Sequence, residues 1–364
     1  MATSRFEQRR DRLWKLVKEK GTAGMLVTDE VNVTYLTGFT GDSSYLLLTA
    51  DEAIVLSDPR YTEQLGTECR DVELEIRRPG TQLTEILPKV VVKAGCSSLA
   101  FEADSVTVAL HKELGEKLTA TQFVPTSGLV EQLRQIKDKA EIEEIRAAIS
   151  LAERAFAVVK AGLRPEQTER EVAFELEHQI RLFGGQGCSF SPIVGVGPHG
   201  ALPHYRAGDA RIGDDAFVLI DWGAKGRQYV SDLTRILVTA KIPPKLERIY
   251  GVVLRAQLQA IAAIRPGVKM LDVDAAARNV ITKAGYGEEF GHSLGHGIGL
   301  QIHEAPRLAM KQEELLQPGM VVTVEPGIYL PGWGGVRIED DILVTKTGHE
   351  VLSHLPKNFA DCVI

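Results

Sequence analysis

The sequence predicts a two-domain α/β chain, with an amino-terminal α/β domain over residues 1–133 and a carboxy-terminal α+β domain over 134–364. Three observations carry this. Strand and helix patterns alternate in the first third, a helix–helix–hairpin order occurs twice in the remainder, and 364 residues suit two cores better than one. Two similar halves would set their hairpins face to face, closing a site between sheets with helices outside, a pseudo-two-fold arrangement.

The first domain opens with an amphipathic helix over about 5–20, followed by strand candidates at 24–28, 44–49, 53–57, 72–76 and 98–102 with helical segments between. The domain boundary falls near 132–139. There Asp138 can cap a long amphipathic helix that runs to about Ala161 and stops at Gly162. A second helix, about 168–183, starts with Thr168 and has Glu171 three residues later, a capping-box spacing. A further helix pair is expected at 244–264 and 270–284.

The hairpins carry charges where charge is expensive. Asp221 ends the apolar run Ala216-Phe217-Val218-Leu219-Ile220, and Asp232 precedes the strand pattern Leu233-Thr234-Arg235-Ile236-Leu237-Val238. Glycines and polar residues over 222–228 supply the turn, so the two carboxylates are expected to meet across an antiparallel ladder. Like charges that close repel unless a proton or cation lies between them. The second pair repeats the logic. Met320-Val321-Val322-Thr323-Val324 leads into Glu325, and Glu339 sits in a strand pattern over 336–344, joined by a long connection rich in proline and glycine. Asp340 would point away from Glu339, and Asp341 would support the site rather than bind at it.

A fifth donor, His296, lies in Gly291-His292-Ser293-Leu294-Gly295-His296-Gly297-Ile298-Gly299, with His303 shortly after. The glycines allow close backbone approach. Four carboxylates and one imidazole suit two divalent ions, with manganese, cobalt, zinc and iron all compatible with the donor set.

In this order, Ile220-Asp221-Trp222-Gly223, Ser231-Asp232-Leu233-Thr234-Arg235, Gly295-His296-Gly297-Ile298-Gly299-Leu300, Val324-Glu325-Pro326-Gly327-Ile328-Tyr329 and Arg337-Ile338-Glu339-Asp340-Asp341 resemble the proline-specific metallopeptidases. These are the Xaa-Pro aminopeptidases (aminopeptidase P) and Xaa-Pro dipeptidases (prolidases), whose catalytic domain has the pita-bread fold behind a creatinase-type amino-terminal domain. The resemblance implies that Asp221 binds one metal, Asp232 and Glu339 bridge both, and His296 and Glu325 complete the coordination of the second metal. It implies that His303 and His204 face the substrate and support oxyanion charge, that His292 lines the proline pocket, and that Arg337 stands beside the last glutamate. Two ions would acidify a water, and Glu325 would move its proton to the departing proline nitrogen.

Within that family the segments Thr37-Gly38-Phe39-Thr40-Gly41-Asp42-Ser43-Ser44 and Asp58-Pro59-Arg60-Tyr61 look more like aminopeptidase P, with the dipeptidase as the alternative. A metal-free creatinase-like hydrolase and a non-catalytic peptide binder stay open behind these. The expected cofactor is two divalent ions per subunit, manganese first, and the expected partners are proline-containing peptides and, from the family, a second copy of the chain in a homodimer.

Composition narrows the rest. A formal net charge of −7 gives no basic footprint for nucleic acid. No apolar run approaches the roughly 18 residues that span a bilayer, and the first residues lack an apolar signal core, so a cytoplasmic protein is expected. Cys69, Cys96, Cys188 and Cys362 are widely spaced with no CxxC pair, which favours free thiols.

Overall fold

A computed structural model describes residues 4–364. The chain separates into two compact units, one ending at Arg134 and one beginning at Gln135.

The first unit is a mixed sheet of six strands in the order Glu73–Ile76, Ala53–Ser57, Tyr45–Thr49, Gly24–Val27, Ser98–Glu102, Gln122–Thr126. Gly24–Val27 runs antiparallel to Tyr45–Thr49 and parallel to Ser98–Glu102. Leu26, Leu47, Leu56, Leu87 and Leu99 are fully buried and form its core. The edge strand Gln122–Thr126 carries Pro125, which an edge tolerates because one side needs no ladder hydrogen bond.

The second unit starts with the helix Lys139–Ala161, where Asp138 accepts from the Glu141 amide at 2.9 Å and Glu141 returns the contact at 2.8 Å. The helix Glu169–Leu182 begins with the Thr168–Glu171 capping box. These two helices pack on each other and cover a three-stranded antiparallel sheet of Leu233–Val238, Phe217–Trp222 and Ile193–Val196. Trp222 stacks on Phe156 at 4.2 Å and donates to the Ala152 carbonyl, so the strand bearing Asp221 is locked to its helix.

The second half repeats the plan. Helices Pro244–Ala263 and Met270–Lys283 pack together beside a five-stranded sheet of Glu304–Leu308, Gly295–Gly297, Val321–Val324, Asp340–Val344 and His349–Val351. The connection between Glu325 and Glu339 differs from a plain turn-rich link. It forms a two-stranded ribbon, Gly327–Leu330 with Gly334–Arg337. The expected strand over 336–344 is correspondingly split, with Ile338 and Glu339 between two strands. An isolated bridge between Thr234 and Glu339 joins the two halves at their carboxylates.

Among the described residues, no helix is long and apolar enough to cross a membrane.

Candidate active site

The aspartates are set by register. Asp221 lies opposite Thr234 in the ladder, so Asp232 is its diagonal neighbour two residues away on the same face, not its direct partner. Glu325 directly follows and Glu339 directly precedes the Val324–Asp340 pair, so both carboxylates leave the same end of that ladder. Thr234 therefore stands between the halves: its hydroxyl donates to Glu339 Oε2 at 2.6 Å and accepts from Arg337 Nε at 3.1 Å.

His296 completes the cluster from the short strand Gly295–Gly297. Its Nδ1 faces the Gly297 carbonyl at 3.1 Å, and since a carbonyl has no proton to give, Nδ1 carries the hydrogen. Nε2 then turns toward Glu325 Oε1 at 3.3 Å and Asp232 Oδ2 at 3.6 Å. Donor atoms of Asp232, His296 and Glu339 all lie within 4.8 Å of one another.

The electrostatics are those of an underneutralised anion cluster. Burial pushes the Asp232 carboxyl well above its ordinary range, with Glu339, Asp221 and Glu325 adding repulsion. Burial likewise raises Glu339, again with Glu325 and Asp221 against it. Asp221 is raised by burial and partly relieved by Arg337. Burial opposes charge on Glu325 too, but its contacts with His296 win and hold it near 2. His296 is raised: burial disfavours its cation, and Glu325 outweighs burial.

These residues fit a divalent metal pair. The donors are hard oxygens plus one imidazole nitrogen, and Asp221 Oδ1 is buried with no hydrogen-bond partner among the described residues. An imidazole lone pair facing two carboxylates is repulsive without an extra proton or a cation.

Arg337 is buried beneath the cluster. Its Nη2 pairs with Asp221 Oδ2, and its Nη1 donates to the Tyr329 hydroxyl at 2.7 Å. It does not pair with Asp340, which instead takes Arg235 at 2.8 Å, Gln257 at 2.9 Å and Lys357. Asp341 accepts from the Asp232 amide at 3.2 Å, supporting a neighbour as its strand position implied.

Two further candidate histidines, His292 and His303, lie against this centre. His292 Nδ1 donates to the Ser293 carbonyl at 2.7 Å, so its Nε2 accepts from the Tyr329 hydroxyl at 2.9 Å. Burial lowers His292, favouring the neutral ring that this acceptor role requires. The His303 ring meets His296 edge-on at 4.4 Å, and burial, then His296, lower it. His204 is exposed.

Residues 143–346 match metallopeptidase family M24, and residues 9–136 match the creatinase/prolidase amino-terminal domain. The chain belongs to metallopeptidase family M24. The fold is accordingly the creatinase-type domain followed by the pita-bread catalytic domain. This M24 peptidase is 39% identical to the uncharacterized peptidase YqhT of Bacillus subtilis over 347 residues, covering 95% of this chain and 98% of the relative. The solved structure of a Xaa-Pro dipeptidase from Bacillus anthracis superposes with a TM-score of 0.94 at 40% identity, covering 99% of this chain and 100% of the other. An X-Pro aminopeptidase from Thermotoga maritima gives 0.89 at 34% identity, covering 96% and 99%.

Several residues of the M24 site were not singled out from sequence. Thr234 and Tyr329 bridge the charged groups, and Asp274 with Arg278 fixes the histidine segment: Asp274 takes Arg278 on both oxygens, and Arg278 donates to the Phe290 and His292 carbonyls at 2.9 and 2.8 Å. Arg307, exposed, pairs in register with His296 and adds to the positive charge acting on His303. An Asp–x₃–Arg spacing on a helix is the one signal that could have marked the Asp274–Arg278 pair in advance.

Proposed function

We propose that this M24 peptidase hydrolyses the peptide bond before proline in short Xaa-Pro substrates, as a dipeptidase. The observation that carries the reading is the convergence of Asp232, His296 and Glu339, flanked by Asp221 and Glu325, on a single set of donor atoms.

Asp221, Asp232, His296, Glu325 and Glu339 would hold two divalent ions, manganese first, which supply Lewis acidity and acidify a water when bound. Glu325 is the carboxylate suited to hold the proton released on attack and return it to the proline nitrogen, which departs as a secondary amine. His303, whose ring meets His296, and His204 keep the role the family resemblance implies, hydrogen bonds to developing oxyanion charge. The chain from Arg337 through Tyr329 to His292 keeps a neutral imidazole in the wall assigned to the proline ring, with Phe290 meeting His292 edge-on at 5.0 Å.

Arg307 favours the dipeptidase form. A dipeptide presents a free carboxylate one residue beyond the scissile bond, and an exposed guanidinium on the strand Glu304–Leu308, in register with His296, suits it. Likeness to the Xaa-Pro dipeptidase of Bacillus anthracis supports the same choice over the aminopeptidase expected from residues 37–44 and 58–61. The Thermotoga maritima likeness keeps the aminopeptidase as the second reading. A homodimer in the cytoplasm is the expected setting.

The test is hydrolysis of a Xaa-Pro dipeptide and a matched Xaa-Pro-Yaa tripeptide by metal-stripped protein, with and without manganese. Metal-dependent cleavage of the dipeptide supports the proposal, cleavage confined to the tripeptide replaces it with the aminopeptidase, and no cleavage of either rejects both.

A further inference from the structure

We propose that Glu169 is a positioning residue for His204, acting as a buried clamp on the loop that brings this histidine to the site. The inference rests on the Xaa-Pro peptidase reading and deepens it.

Glu169 is the first residue of the helix Glu169–Leu182 and is fully buried. A carboxylate in that position is tolerated only when its oxygens are satisfied. Here Oε1 accepts from the Val196 amide at 2.8 Å and from His199 Nδ1 at 2.7 Å, and Oε2 accepts from the Tyr205 hydroxyl at 2.8 Å and the Gly208 amide at 3.0 Å. The four donors sit at the start, inside and at the end of residues 196–208, so one side chain closes the whole loop. The His199 and Tyr205 rings stack at 4.5 Å within it. Burial and then the Glu169 hydrogen bond push the Tyr205 hydroxyl up to about 12, keeping it a proton donor.

The loop is also registered against the site. Its turn Gly197–Ala201 lies on the strand Gly334–Arg337 so closely that a Cβ at Gly335 would fall 1.9 Å from the Gly200 carbonyl oxygen. That strand ends in Arg337, the partner of Asp221. Between these anchors the loop exposes Leu202 and His204. The helix's own packing face, Val172, Ala173, Leu176 and Ile180, is separate from the clamp, so loss of the clamp should free the loop and leave the core.

Glu169→Gln isolates the effect. The amide has one accepting oxygen, and whichever way it turns, its NH₂ faces one of two backbone N–H groups, Val196 or Gly208, that cannot accept. The experiment measures Xaa-Pro cleavage by manganese-loaded wild type, Glu169→Gln, His204→Ala, the double variant and Tyr205→Phe, together with amide hydrogen exchange of 197–208 in the metal-free proteins. Glu169→Gln is expected to lower kcat by about 10- to 100-fold, the scale of a ~1 Å misplacement, with KM changed little. The double variant should fall no more than about twofold below His204→Ala, because the clamp acts through that residue. Tyr205→Phe, which keeps three of the four donors, should lie between and covers the case in which Glu169→Gln fails to fold. Exchange over 197–208 should speed up while the helix core stays protected. Losses that multiply in the double variant, or unchanged exchange, would overturn the proposal. If the wild type cleaves no Xaa-Pro peptide, the catalytic reading fails by itself and the exchange arm alone decides whether Glu169 holds the loop.

Discussion

Arg337 pairs with Asp221 Oδ2 beneath the carboxylate cluster, leaving Oδ1 of the same aspartate buried and without a hydrogen bond among the described residues. The guanidinium thus neutralises one edge of the site and orients the other edge inward. Arg337→Ala should destabilise the metal-free protein by about 3–5 kcal/mol, the cost of breaking a buried pair, and lower kcat/KM by more than about 100-fold. Arg337→Lys should recover part of the stability and little of the activity, since an ammonium cannot reach Asp221, Tyr329 and Thr234 together. Thermal denaturation of the stripped variants checks this, and an unchanged melting temperature for Arg337→Ala would remove the structural role assigned here.

The crowding of carboxylates has a consequence for pH. Asp232 and Glu339 are raised in the folded state, chiefly by burial, so above the ordinary carboxylate range the native metal-free protein holds protons that the unfolded chain has lost. Stability from these groups is fully present below the ordinary carboxylate range, about pH 4, and declines as pH rises through their folded values. Metal binding must expel those protons. Titration with manganese in two buffers of different ionisation enthalpy should reveal proton release, and the metal-free melting temperature should fall from pH 5 to 8. Equal heats in the two buffers would contradict the assignment.

Thr234 touches Glu339 and Arg337 through one hydroxyl. Thr234→Val keeps the shape and removes both contacts, so metal affinity should drop about 10- to 100-fold with the fold intact. Equilibrium dialysis against manganese measures it. Affinity within about twofold of wild type would mean that Glu339 needs no help from Thr234 to stay in place.

The carboxylates stood out in the sequence because a charge inside an apolar strand pattern has few bland explanations, whereas His296, in a glycine-rich run that reads equally well as a solvated loop, stood out only beside them and through the family resemblance. Thr234 was not, since a β-branched residue is what a strand favours anyway. Tyr329 was hidden because Pro326-Gly327 and Pro331-Gly332 made residues 326–335 read as one long turn, when the four residues Gly327–Leu330 in fact pair as a strand. Glu169 passed as an ordinary acid in the first turn of a helix, where the macrodipole alone accounts for it. The strands Ile193–Val196 and Gln122–Thr126 escaped because one is four residues between proline and glycine and the other contains a proline. In each case the distant partner, and not the local pattern, gives the residue its role.

In the amino-terminal unit, Glu102 is almost wholly buried and accepts from the Thr28 and Asp29 amides and from Asn32 Nδ2 at 2.6–2.8 Å. Burial nevertheless raises it from 4.5 to about 7, with Glu131 adding to the repulsion. The sign is that of a raised acid: this unit should be most stable below about pH 4.5 as far as Glu102 is concerned and lose on the order of 3 kcal/mol as pH climbs to 7. Glu102→Gln should flatten that part of the profile. Chemical denaturation at pH 5 and pH 7.5 measures it, and an identical pH dependence in the variant would rule out Glu102 as its source.

Arg307 separates the two substrate readings. If its guanidinium receives a dipeptide's carboxylate, Arg307→Met should raise KM for the dipeptide by about 10- to 100-fold, the loss expected for a charge-assisted contact, and leave kcat nearly unchanged. Blocking the carboxylate as an amide should cost the wild type a similar factor and cost Arg307→Met almost nothing, because the same contact cannot be lost twice. A tripeptide carries its carboxylate one residue farther out and should respond weakly to the substitution. Equal sensitivity of dipeptide, amide and tripeptide to Arg307→Met would assign the arginine to general attraction of anions toward His303, and the dipeptidase form would then rest on likeness alone.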